Sequence, residues 1–120
     1  MAISKEYLEF ISEALEGFGP VDTRRMFGGA GVFRDGLMFG LIADEQLYFK
    51  VDEQNLPDFE AEDCGPFVYE TKNGKKTVMS YSVVPERLYD DQDEMGEWAR
   101  KAFDAALRAN KLKKKPKKRS

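Results

Sequence analysis

An α+β fold, in the order helix, three strands, helix, two strands, helix, is what this sequence predicts, and three observations lead there. Two turn dipeptides, Asp35-Gly36 and Asn73-Gly74, each lie between runs whose apolar residues alternate, which is the pattern of antiparallel hairpins. Both ends of the chain instead repeat apolar residues at spacings of three and four, the period of an amphipathic helix. With 120 residues, the chain is long enough for one core and too short for two ordinary ones.

Each element has its own reason. Residues 4–17 read as a helix because Ser4 can cap its start, Leu8, Ile11, Leu15 and Phe18 share one side, and Gly17 suits the stop. From residue 21 to 51 the period changes to two. Asp35-Gly36 closes one hairpin there, since both central positions of a type I′ turn need positive φ. Asp44 and Glu45 then separate "LMFGLIA" from "QLYFKVD", so three strands form a meander. In the last of them Leu47, Phe49 and Val51 share the buried face, while Tyr48, Lys50 and Asp52 take the other. Residues 53–66 have weak helical spacing and a Gly-Pro stop, which suits a short crossover helix. Asn73-Gly74 then joins "PFVYETK" to "KKTVMSYSVVP", with Met79, Tyr81 and Val83 on one face and Pro85 ending the strand. A long helix over residues 90–110 buries Met95, Trp98, Ala99, Ala102, Phe103, Ala106 and Leu107.

Charge is divided unevenly along the chain. The net of -3 hides an acidic body, residues 1–110, with 12 bases against 22 acids, followed by "KLKKKPKKRS", residues 111–120, with seven bases and no acid. The body repels nucleic acid, and the basic run attracts polyanions within a Debye length of about 8 to 10 Å. A run of that composition cannot join a core and is expected to be a disordered tail, in which Lys113, Lys114, Lys115, Lys117, Lys118 and Arg119 could contact phosphates without reading sequence. No stretch approaches the ~18 consecutive apolar residues of a membrane span, and the first residues lack the apolar run of a secretory signal, so a cytoplasmic location away from membranes is expected.

The stretch "TRRMFGGAGVFRDG" looks like a phosphate cradle, with glycines at 28, 29 and 31 just after Arg24 and Arg25. An ATPase-type loop needs a Lys followed by Ser or Thr and a helix whose free amides face the anion, and neither is present. A dinucleotide fingerprint starting at Gly29 would need glycine where Arg34 stands. Glycines inside a strand pattern mark a bulge or a close backbone approach, and that is the reading here. Arg24 and Arg25 alternate across the strand, so one at most faces any given site; ion pairing with the acidic body is their simplest use.

Other chemistry finds few groups. Cys64 lies beside two acids that raise a thiol pKa, and the chain has no histidine to activate it or to join it around zinc. The acid clusters lack the spacing of a calcium loop, and "YDDQDE" suits a helix N-terminus instead. No cofactor, metal or catalytic residue is assigned from the sequence.

Six strings in this chain carry a family resemblance: "RRMFGGAGVF", "DGLMFGLI", "LYFKVD", "PFVY", "MSYSVVPE" and "WARKAFDAA". Through them it resembles the TfoX N-terminal domain family, the TfoX/Sxy group of bacterial proteins, over residues 4–110. The resemblance implies a two-layer domain with a curved antiparallel five-stranded sheet under packed helices, similar to secretion-chaperone-like folds. It also implies a non-enzymatic regulator of natural competence that works through a protein partner, the cyclic-AMP receptor protein, at promoters of DNA-uptake genes. Named members carry a further helical domain after this one, where this sequence continues into the lysine run. Arg24, Arg25, Met26, Phe27, Gly28 and Gly29 are the expected interaction surface. Two other readings stay open: nucleic-acid binding through the basic tail, and a small anion-binding or ligand-binding module at residues 24–31.

Overall fold

A computed structural model describes residues 3–26 and 28–114, the side chains of Lys113 and Lys114 excepted. Helix α1 (Lys5–Ala14) is followed by strands β1 (Asp22–Met26), β2 (Gly29–Arg34), β3 (Leu37–Ala43) and β4 (Gln46–Lys50), then by the short helix α2 (Leu56–Glu60). Strands β5 (Pro66–Glu70) and β6 (Lys76–Val83), a 3₁₀ turn (Glu86–Asp90) and the long helix α3 (Gln92–Lys114) complete the order. The strands form a single antiparallel sheet, β1-β2-β3-β4-β6-β5, with β1 and β5 at its edges.

The sheet has six strands where the sequence suggested five. The sixth comes from the glycine stretch, which reverses the chain completely instead of bending one strand. Met26 faces Gly29 across the turn, and Gly28 has φ 78°, a value that suits glycine. Asp35-Gly36 forms the expected tight turn with φ values of 53° and 79°, and Asp44-Glu45 forms a second one with 52° and 58°. Asn73-Gly74 also marks a hairpin, but the loop spans residues 71–75, closed by a 2.9 Å bond from the Thr71 amide to the Lys75 carbonyl.

One core lies between the sheet and the helices. Ala30, Val32, Phe39, Ile42, Leu47 and Phe49 point into it from the strands, and Val51 extends the same row. Helix α1 supplies Ile11 and Ala14, with Leu15 behind it, α2 supplies Phe59, and α3 supplies Met95, Trp98, Ala99, Ala102 and Ala106. Leu107, expected in the core, is 44% exposed, and Ala105 is buried in its place. A register shift after Val32 leaves Phe39 as an extra residue between the Gly40 and Met38 pairings, and its ring reaches 5.1 Å from Phe18 and 5.9 Å from Phe103.

Local caps match the composition. The Ser4 hydroxyl accepts the Tyr7 amide at 3.1 Å, and an Asp91 carboxylate oxygen accepts the Glu94 amide at 3.1 Å. Helix α3 continues to Lys114, past the boundary at residue 110 that the sequence suggested. Among the described residues no helix is long and apolar enough to cross a membrane.

Candidate interaction surface

Cross-strand partners share one face of a sheet, so the register places every side chain opposite the core. Tyr48 and Lys50 alternate with the buried Leu47 and Phe49, and their partners Leu41, Val83 and Tyr81 share that outer face. Met38 and Phe33 continue it toward β1, and Phe67 joins it with its ring 4.9 Å from that of Tyr48. Tyr69 and Met79 carry it onto the β5–β6 hairpin, where they are 49% and 38% exposed. The helices send their buried residues into the core, so among the described residues no helix covers this side.

The chemistry of this face is apolar with few charges. Among the described residues Asp22, Arg24 and Lys50 are the charged groups on its strands, with Asp44 at its margin, and both cations lie over rings: the Arg24 guanidinium is 4.8 Å from the Phe33 centroid, and the Lys50 ammonium is 5.2 Å from that of Tyr81. Burial pushes the Tyr81 hydroxyl above its ordinary pKa; burial and then Asp44 do the same for Tyr48. Both phenols stay neutral at physiological pH, able to donate one hydrogen bond each.

The surface expected from residues 24–29 is only partly on this face. Arg24 and Met26 are there, while Arg25 points to the helical side and donates from Nη1 to the Ile3 carbonyl. Neither arginine pairs with a carboxylate among the described residues, contrary to the expected ion pairing: one uses a ring and the other a carbonyl. Phe27 lies outside the described residues. Gly29 and Gly31 are buried in the sheet, where a methyl group on Gly29 would overlap the Ile42 carbonyl oxygen and one on Gly31 would lie 2.8 Å from the Phe33 ring. Gly31 is paired with Arg24 on one side and Leu41 on the other. These glycines give close approach between strands, and the two arginines that might have gripped an anion diverge to opposite faces.

Other residues singled out by the sequence also have places. The Cys64 thiol is pushed above its ordinary pKa by burial first, then by Glu62 and Asp63, which opposes nucleophilic activation. Lys113 and Lys114 belong to α3 by their backbone, and Lys115, Lys117, Lys118 and Arg119 lie outside the described residues.

Sequence reasoning missed three arginine clamps. Arg34 donates to the Phe18 carbonyl at 2.8 Å and lies 4.5 Å from the Phe18 ring, fixing the loop after α1. Arg87 binds Glu62 and Glu94 together, at 2.5 and 2.9 Å, and Arg108 holds Asp52 through two bonds of 2.6 and 2.9 Å. These partners are 7 to 56 residues apart along the chain, so no local pattern announces them.

Comparison with known proteins agrees with the residue pattern. The profile of the TfoX N-terminal domain matches residues 13–106. Protein Sxy of Escherichia coli (strain K12) is 29% identical over 100 residues, covering 80% of this chain and 46% of that protein. The chain thus spans about half the length of the curated relative it matches.

Proposed function

Because the chain belongs to the TfoX N-terminal domain family, we propose that it is a regulatory interaction module that docks a protein partner on the open face of its sheet. The observation that carries this reading is that face itself: Phe33, Leu41, Tyr48, Phe67, Tyr69 and Met79 form an apolar row that no helix of the described residues covers. An apolar face with aromatic residues at its centre and few charges has the composition of a protein interface core. A polyanion would find little there, since Arg24 and Lys50 are its two cations and both are over rings. The family resemblance supports a competence-related, transcriptional role for the partner complex, with the cyclic-AMP receptor protein as the first partner to test.

Tyr69→Asp and Met79→Asp place a charge where both side chains are already partly in water. Each variant should keep the circular dichroism and unfolding midpoint of the parent. Reintroduced into a strain lacking the chain, both are expected to lose transcription of DNA-uptake genes that the parent restores. Calorimetric titration against the cyclic-AMP receptor protein reads the same contact in solution. Full transcriptional rescue by both variants would refute docking on this face.

A further inference from the structure

A second feature lies where the start of α1 meets the 3₁₀ turn and the Asp44-Glu45 turn, beside the end of β6. A cleft of about 520 Å³ opens there, lined by the rings of Tyr7, Phe10 and Tyr89 and by Glu45, Glu86 and Asp90. Phe10 stacks on Tyr89 at 5.5 Å and lies 5.9 Å from Tyr7, so the three rings form a continuous aromatic wall. The Tyr7 hydroxyl donates to the Glu45 carbonyl at 2.8 Å, which ties the wall to the turn. Phe10 is 46% exposed, an unusual position for a ring held between two others.

Among the described residues the lining has three carboxylates and no base. After burial, Glu45 raises the Tyr7 pKa, while Tyr89 is raised by burial first and then by Tyr7, with Glu86 the smallest contributor. Aromatic walls with carboxylates around them select a cation that carries apolar carbon, because ring faces and anions attract the charge while the stem packs on the rings. Lysine side chains are such groups, and the chain itself carries a run of them at residues 111–119, with Leu112 and Pro116 among them.

We propose that this cleft docks the lysine-rich segment 111–119 of a second copy of the chain, so that copies associate head to tail. The same copy cannot fill its own cleft. Helix α3 begins two residues after Asp90 and runs for 23 residues, about 34 Å, away from it. Residues 115–120 span at most about 21 Å, so they cannot return. Charge complementarity sets the pairing, since the body of one copy has ten more acids than bases and the segment of the next has seven bases and no acid.

Sedimentation velocity of the full chain tests this directly. At about 25 mM salt the parent should self-associate reversibly, and at about 500 mM it should be monomeric, since contacts between exposed charges are screened. Glu86→Gln with Asp90→Asn should weaken association about tenfold, as loss of two facing charges does. Glu16→Gln with Glu60→Gln makes the same change of net charge elsewhere and should leave association as it is. Lys117→Gln with Lys118→Gln should weaken it like the cleft variant. Mixing the cleft variant with the segment variant should restore one contact per pair, because each supplies what the other lacks. A chain monomeric at about 1 mM in low salt would overturn the proposal. So would equal weakening by the two acid-to-amide pairs, which would make the effect one of net charge. If the cleft pair mattered and the lysine pair did not, another cation would be the occupant and the proposal would fall. The transcription assay does not depend on this contact, so either result leaves the sheet-face reading to its own test.

Discussion

Gly96→Ala sets two effects against each other, and the structure decides which wins. Gly96 is in the first half of α3, where alanine is favoured over glycine by about 1 kcal/mol on propensity alone. A methyl group there would lie 2.8 Å from the Gly17 carbonyl carbon, 2.9 Å from its oxygen and 3.1 Å from the Phe18 nitrogen. Carbon contacts reach their optimum near 3.5 to 4.0 Å, so α3 and the chain after α1 would have to separate by roughly 0.7 Å. That chain cannot drift. The Phe18 amide is bonded to the Leu15 carbonyl at 2.9 Å, its carbonyl is held by Arg34, its ring packs on Phe39 and Phe103, and Gln92 donates across the same contact to the Glu13 carbonyl at 3.0 Å. Overpacking against fixed backbone costs about 3 kcal/mol at the upper end of its range, which leaves a net loss of about 2 kcal/mol after the propensity gain. For a domain of this size the melting temperature should fall by about 8 °C. Urea unfolding followed by circular dichroism gives the free energy, with Glu97→Ala, one residue away and exposed, as a control expected to stay within about 0.5 kcal/mol. A Gly96→Ala chain as stable as the parent, or more so, would refute the close-contact argument.

Three further outcomes follow from other sites. Gly29→Ala should destabilise by about 2 kcal/mol or more in urea titration, because its methyl group meets the Ile42 carbonyl oxygen, a ladder atom that cannot turn aside. Asn55→Ala should cost about 1 to 3 kcal/mol, since the 2% exposed amide accepts from the Asp52 amide at 2.8 Å and donates to the Lys50 carbonyl at 3.0 Å, and both would be left without it. Arg108 holds the Asp52 carboxyl below its ordinary 3.8, and Arg87 does the same for Glu62 and Glu94 below 4.5; stability from these pairs is therefore present above those values and lost as pH falls through the lower folded-state ones. The urea midpoint should drop between pH 5 and pH 3, and Asp52→Asn should make that drop shallower.

Most of the fold was legible because its signals are local. Ser4, Asp35-Gly36 and the alternation of Leu47, Phe49 and Val51 each act within a few residues, and each is where the sequence put it. The extra strand was hidden because Phe27 is not a residue that tight primed turns favour, so "MFGG" does not read as a reversal although Gly28 provides one. Leu107 misled because it lies off the buried stripe of Ala102, Ala105 and Ala106, although Arg108 beyond it still reaches Asp52. The interaction face was legible only as alternation: Tyr48 was set opposite Leu47 and Phe49, and Met79, Tyr81 and Val83 shared one face of their strand, but which side that face takes depends on β4 pairing with β6 across an intervening helix. The cleft could not be read at all, because Tyr7, Glu45 and Tyr89 meet from three distant segments.

The β5–β6 hairpin reaches beyond the helices, leaving Val68 45% and Val78 66% exposed although they are partners on the core side of the sheet. Its outer half therefore rests on ladder bonds alone, without an apolar layer above it. Amide protons there should exchange with solvent well before those of β2 and β3, in openings that leave the rest of the molecule folded. The loop at residues 71–75 can then take an inserted peptide or a reporter group at the modest entropic cost of a longer closed loop, which makes it a place to label this chain away from the aromatic cleft.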